Sequence, residues 1–197
     1  MAIITVPVLI NNVQKKMFAT QVKNMVATIE QLAQDQMVSY KTRDLFNTDF
    51  GDPAKLMTDK NFAVAQACST NDAWTKCWKT ALTGKDKVVY KNLDKNNLSP
   101  CPASPSVILK NSATLWYGNI GQWCFLLDVN GAGKPNIIGR DLFAFCIDSK
   151  GHVFDFVTNL FGESTLDYKI DKCKHSKNYE PFWCYSALFA NNWKMDY

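Results

Sequence analysis

A chain of 197 residues that is 47% hydrophobic and 13% aromatic can bury the core of one full domain, which excludes a disordered tail. Its 22 basic and 18 acidic residues leave a formal charge of +4, too mild an excess to imply nucleic-acid binding by itself. Seven cysteines, none in a CxxC pair, argue against a zinc ribbon or a thioredoxin-type site. Their density suits an oxidising compartment with at least one disulfide, and the odd count leaves at least one thiol unpaired or joined to another chain.

The first fourteen residues, MAIITVPVLINNVQ, carry no charged side chain. The apolar part, residues 1–10, is too short for a bilayer span of about 20 residues. It has no basic segment before it and no small-residue cleavage site after it, as a secretory signal would. After Asn12 the apolar residues Phe18, Val22, Met25, Ile29 and Leu32 step by four and three, the period of one helix face. The spacing predicts a single helix over residues 1–40, bent at Pro7 where the ring removes a backbone hydrogen bond. Residues 47–60 carry turn formers and read as loop. FAVAQACSTNDAWTKCW reads as a second, shorter helix interrupted near Ser69–Asp72, and residues 84–105 as a polar linker.

Beyond residue 105 the character changes. SVILK, ATLWYG, WCFLLDV, DLFAFCI and HVFDFV are short runs rich in β-branched and aromatic residues, separated by turn signals. DSKG, at 148–151, links two of them at hairpin spacing. The expectation is an α+β fold: a long N-terminal helix over residues 1–40 and a head over 41–197, with an antiparallel sheet from about 106 to 157.

The densest candidate for chemistry is DVNGAGKPNIIGRD, residues 128–141. Asp128, Asn130 and Gly133 match the first half of an EF-hand loop, but the twelfth position is Gly139 and Pro135 interrupts it. An irregular calcium site could still use Asp128, Asn130, Asn136 and Asp141 with backbone carbonyls. The competing reading is a hairpin turn at Asn130-Gly131 with no cofactor, its Asx side chains bonding their own backbone. GAGKP lacks the spacing of a phosphate loop. Cys173, His175 and Cys184 could be zinc ligands, but a Cys173–Cys184 disulfide explains the same cysteines more simply, at about 3 kcal/mol in the chain-entropy model. Cys68 and Cys77 are further disulfide candidates. His152 and His175, the only histidines, read as solvated loop residues, so hydrolase chemistry has little support. GKDKVVYKNLDK and YKIDKCKHSKNY interleave lysine with tyrosine, a pattern that suits DNA or another polyanion but more often marks a solvated face.

AIITVPVLINNVQKKMFATQVKNMVATIEQL resembles the second half of the N-terminal helix of type IV pilins and type II secretion pseudopilins, with Pro7 at the family's proline. LDVNGAGKPNIIGRDLFAFCID, followed by a cysteine-containing C-terminal section, is similar to pilin-like proteins as well. The resemblance implies a long helix packed on an antiparallel β-sheet head. It implies a non-enzymatic structural subunit, major or minor, of a bacterial surface filament or a secretion pseudopilus. Such a subunit is held in the inner membrane before assembly, then lies in an extracellular filament or periplasmic pseudopilus. Its partners would be other pilin subunits, met through Ile4, Pro7, Val8 and Leu9. The family's basic leader, cleavage Gly and early Glu are absent, so Met1 falls where that helix is half over. A truncated chain or a misplaced start codon is therefore expected. The alternatives are a minor pilin binding DNA or another ligand, and a secreted, calcium-stabilised binding domain or enzyme.

Overall fold

The structure, a computed structural model, describes residues 5–69, 72–98, 105–175 and 179–197, with side chains from Asn11 onward except at 98. Helix α1 spans Thr5–Ser39. Phe18, Val22, Val26, Ile29 and Ala33 are buried along one face, with Met25 and Leu32 packed beside them. Each such aliphatic or aromatic side chain contributes about 1.5–3 kcal/mol on burial. The helix stops where Lys41 adopts φ 52 and Thr42 N–H reaches back to Met37 O at 3.0 Å, an end that satisfies a carbonyl of the last turn.

Two 3-10 turns, Leu45–Asn47 and Asp49–Gly51, and the short helix α2, Pro53–Leu56, follow. Asp44, Thr48 and Asp52 cap them in turn, each accepting a backbone N–H two residues on. Buried Gln36 ties this segment to α1: its Oε1 accepts Asp49 N–H at 3.1 Å, and its Nε2 donates to Asn61 Oδ1 at 3.1 Å.

The main sheet has six antiparallel strands: β1 Val64–Cys68, β4 Ser106–Leu109, β5 Thr114–Asn119, β6 Trp123–Asp128, β7 Leu142–Ile147 and β8 Val153–Phe154, adjacent in that order. The α+β class expected from sequence is therefore the one observed, with the long helix packed on the sheet head. Strands β5, β6 and β7 are buried almost without interruption, so both faces of the sheet centre are covered. Tyr117, Phe125, Phe145 and Tyr185 form a chain of rings with centroids 4.4–5.6 Å apart. The DSKG turn does join β7 to β8, and it docks on α1: Gln34 Nε2 donates to Lys150 O at 3.0 Å, and Glu30 Oε1 accepts Val153 N–H at 2.9 Å.

Residues 47–60, read as loop, hold the second 3-10 turn and α2, and the HVFDFV run is strand only at Val153–Phe154 before a helix begins at Phe156. Two further stretches differ more from the sequence expectation. Residues 64–68, read as helix, form β1, paired with β4 from Val64↔Leu109 to Cys68↔Ser106. Ala and Gln are good helix formers, but propensity is a weak force beside tertiary context, and pairing against an available sheet edge outweighs it. Ala73–Cys77 forms one π turn, and a Cys68–Cys77 disulfide closes strand and turn together. The polar stretch 84–105, read as linker, holds a 3-10 turn at Gly84–Asp86 and a two-stranded ribbon, β2 Tyr90–Lys91 with β3 Asn97–Leu98. Residues 99–104, Cys101 among them, lie outside the described residues.

Three helices close the chain: α3 Phe156–Phe161, α4 Leu166–His175 and α5 Glu180–Ala190, the last packed on β7. A Cys173–Cys184 disulfide joins α4 to α5, and a third, Cys124–Cys146, links facing residues of β6 and β7. With both its cysteines in a disulfide, the Cys173–His175–Cys184 zinc reading falls. Among the described residues no helix is long and apolar enough to cross a membrane.

Candidate metal centre in the glycine-rich loop

The loop between β6 and β7 carries the calcium candidates. Asp128 ends β6 and Asp141 immediately precedes β7, and the loop ends are tied by Val129 N–H to Asp141 O at 2.8 Å. Both carboxylates are fully buried. Asp128 accepts the Tyr90 hydroxyl on Oδ2, in a very short hydrogen bond, and Asn130 N–H on Oδ1 at 3.1 Å. Asp141 accepts Asn136 N–H on Oδ2 at 2.6 Å and Ile137 N–H on Oδ1 at 2.7 Å. Each of the four carboxylate oxygens thus holds at least one donor, as buried acceptors must. Asn130 Nδ2 donates to the carbonyls of Gly133 and Lys134, both at 2.9 Å. The Asn136 amide, with its nitrogen turned inward, donates to Gly133 O at 2.9 Å and Gly131 O at 3.3 Å. The Asx side chains therefore bond the loop's own backbone, as in the turn reading.

Gly131, at φ 58, leaves no room for a side chain: a Cβ there would stand 2.4 Å from Ser112 O. The Lys134–Pro135 bond is cis. Burial pushes the Asp128 carboxyl well above the usual range, and the neighbouring Asp141 charge pushes it further. Burial likewise raises Asp141, to about 6, against the opposing pull of the Ile137 and Asn136 N–H groups. Among the described residues no three acidic, histidine or cysteine side chains converge as a metal cluster. An ion here would draw on two carboxylates, the amides and backbone carbonyls, the hard oxygen donors calcium accepts.

A measurable consequence follows from the raised carboxyls. The folded state holds more protons than the unfolded chain above the ordinary Asp value near 4, so the contribution of Asp141 falls as pH rises from there through about 6, and that of Asp128 falls as pH rises through its own raised value. A divalent cation bound by the ionised pair would offset the loss. Thermal unfolding at pH 8 with millimolar calcium against chelator reads this directly: a rise in Tm absent at pH 4.5 assigns a cation to the pair, and indifference at both pH values assigns the loop to hydrogen bonding alone.

A second buried polar cluster was not read from the sequence. Asp155 caps α3, its Oδ1 accepting Thr158 N–H at 3.2 Å. Its Oδ2 accepts the hydroxyls of Ser186 at 2.5 Å and Thr158 at 2.6 Å and the Lys169 ammonium at 3.1 Å. Lys169 also donates to Thr158 Oγ1 at 2.8 Å. Burial would raise the Asp155 carboxyl, but hydrogen bonds from Ser186, Thr158 and Lys169 together hold it below the usual range. The Ser186 hydroxyl points at a carboxylate, and the histidines pair elsewhere: His175 with Asp94 at 2.8 Å, His152 beside Asp148. The residues join three helices and the loop ahead of them, a connection no short motif records.

Of the residues expected to pack in a filament, Ile4 lies outside the described residues, and so do the side chains of Pro7, Val8 and Leu9, whose backbone is helical. Tyr90, in the lysine–tyrosine stretch read chiefly as a solvated face, is instead the buried partner of Asp128. Compared with known proteins, the chain matches no family model, no curated protein and no solved structure.

Proposed function

We propose that this chain is a pilin-like structural subunit, assembled through its N-terminal helix into a bacterial surface filament or a type II secretion pseudopilus. The observation that carries the reading is the division of α1. From Phe18 to Ala33 one helix face is buried on the sheet head, while the helix continues toward the N-terminus through an uncharged, apolar stretch. An apolar helix without charge needs partner helices or lipid, and the core of a filament supplies the former. The anchorage of α1 is polar as well as apolar: Arg140 donates to Asn11 Oδ1 at 2.6 Å and Lys15 to the Tyr197 carbonyl at 2.8 Å, so the head also holds the helix on the N-terminal side of its buried face. Three disulfides suit a head that works outside the cytoplasm. On this reading the protein is not an enzyme, and it resides in the inner membrane before assembly.

The test is the N-terminal peptide mass of the protein purified from cells that make it, together with its presence in filaments sheared from those cells. A peptide that begins upstream of Met1, with a methylated aromatic residue after a Gly cleavage point, is the expected result. A mature chain that begins at Met1 or after an ordinary signal cut, with nothing in the sheared fraction, overturns the proposal.

A further inference from the structure

Beside the glycine-rich loop lies an open cavity of about 460 Å³ whose lining includes Lys79, Lys85, Lys87 and Lys134, with Asp86 and Asn136. Four lysines against one aspartate leave a formal excess of three positive charges. Among the described residues none of the four ammonium groups forms an ion pair or a side-chain hydrogen bond, although ion pairs hold Lys55, Lys60, Lys76 and Lys110 elsewhere. Unpaired like charges that line one small cavity repel one another, and an anion placed among them relieves that repulsion.

The backbone sets this gathering. Lys79 sits at φ 55 directly after the buried Trp78, and Val88 N–H donates to Lys79 O at 3.1 Å, closing residues 79–88 into a loop. The 3-10 turn Gly84–Asp86 then brings Lys85 and Lys87 to the same rim. Lys134 arrives from the other segment. Lys91 N–H donates to Asn136 O at 3.0 Å and Ile138 N–H to Lys91 O at 2.8 Å, so the β2 segment and the glycine-rich loop are stitched side by side. At the base, Asn136 is buried and its backbone is held by Asp141, which fixes that wall. A solvated lysine face would not need two chain segments bonded together to bring its charges to one concavity.

We propose that this cavity is a binding site for a multiply charged oxyanion, a phosphate or a phosphate monoester, held by Lys79, Lys85, Lys87 and Lys134. The excess of three positive charges suits a dianionic phosphoryl group better than a single carboxylate, and ammonium groups bind phosphate as point charges. The volume and concave form suit one such group with a small substituent. An extended polymer would need a track of charges instead. The site stands apart from the filament-packing helix, so it neither requires the structural reading above nor fails with it.

The experiment is a titration of the full chain, followed by calorimetry, with inorganic phosphate, glycerol phosphate and single-stranded DNA at low and at physiological salt. Saturable binding of one equivalent of phosphate or glycerol phosphate, weakened by salt, is the expected result. Whichever of the two binds more tightly identifies the free anion or the ester as the preferred form. Lys134→Ala should weaken binding about threefold and Lys85→Ala/Lys134→Ala about tenfold, while Lys55→Ala, remote and paired with Asp52, leaves it unchanged. These are exposed side chains, and unchanged melting of the variants confirms that folding is not the cause. Equal weakening by Lys55→Ala, no saturable binding of either phosphate, or binding of DNA alone with affinity that grows with its length would each overturn the site.

Discussion

Replacing Lys169 by Met is expected to destabilise the protein by about 3 kcal/mol or more, through the charge it leaves behind. The Lys169 and Asp155 side chains are only 6% and 10% exposed, so the pair lies where solvent screens little. Met fills nearly the same volume, which keeps lost packing small. What remains is a buried carboxylate with two hydroxyls and one backbone N–H but no cation. The pH dependence separates this cause from a simple packing defect. In the wild type the Asp155 carboxyl lies below the usual range, so its contribution is present above the ordinary Asp value near 4 and is lost as pH falls through the depressed one. Without Lys169 that carboxyl moves up, and protonation spares the variant its uncompensated charge. The gap between wild type and Lys169→Met, measured by urea unfolding, should therefore narrow as pH falls below about 4. A gap of constant size across pH would make Lys169 a packing residue. Asp155→Asn/Lys169→Met should recover part of the loss at neutral pH, because removing both charges removes the orphan.

How far the fold was legible depended on whether its cause was local. The stepping of Phe18, Val22, Ile29 and their neighbours is set by helix geometry, and those residues do form the buried face of α1. The aromatic and β-branched runs after residue 105 became strands for an equally local reason, except that HVFDFV passes into helix after Phe154, and the turn at DSKG closed where its residue types allow. Residues 64–68 were misread because their fate depends on a partner more than 35 residues away in sequence, the edge presented by β4. Nothing in AVAQAC announces that edge. The candidate site shows the same division. Asp128, Asn130, Asn136 and Asp141 could be named because they crowd one loop, but the Tyr90 hydroxyl that holds Asp128 arrives from another strand pair. Likewise, the lysines of GKDKVVYKNLDK read as a solvated face until the fold brought Lys134 beside them. The cluster of Asp155, Lys169 and Ser186 was silent for the same reason, since its members are separated by more than a helix turn in every direction along the chain. Chemistry contained in one loop is visible in sequence, and chemistry assembled across elements is not.

The second large effect belongs to Gly139, where two costs coincide. Its φ of 86 lies in the region that L side chains rarely adopt, and a Cβ there would stand 2.8 Å from Cys184 Sγ and 2.9 Å from Cys173 Sγ. The disulfide joining α4 to α5 thus rests directly on the backbone that leads into β7, and only glycine permits the approach. Gly139→Ala is expected to cost about 2–4 kcal/mol, part from the backbone conformation and the larger part from displacing a disulfide that cannot yield alone. The sulfurs bind the two helices that also carry Lys169 and Ser186, so the displacement is felt in the packing of α5 on β7. A double-mutant cycle separates the two terms. In a Cys173→Ala/Cys184→Ala background the sulfurs are gone, and Gly139→Ala should then cost only about 1 kcal/mol, the conformational part. The same penalty in both backgrounds, measured by denaturant midpoint at unchanged slope, would show that the glycine serves its turn and not the disulfide. A smaller penalty without the sulfurs would explain why a glycine stands at the twelfth position of this loop, where a calcium loop of the EF-hand kind requires a bidentate Glu. The position is occupied by the neighbouring disulfide, so whatever holds Asp128 and Asp141 must do so without a ligand from residue 139.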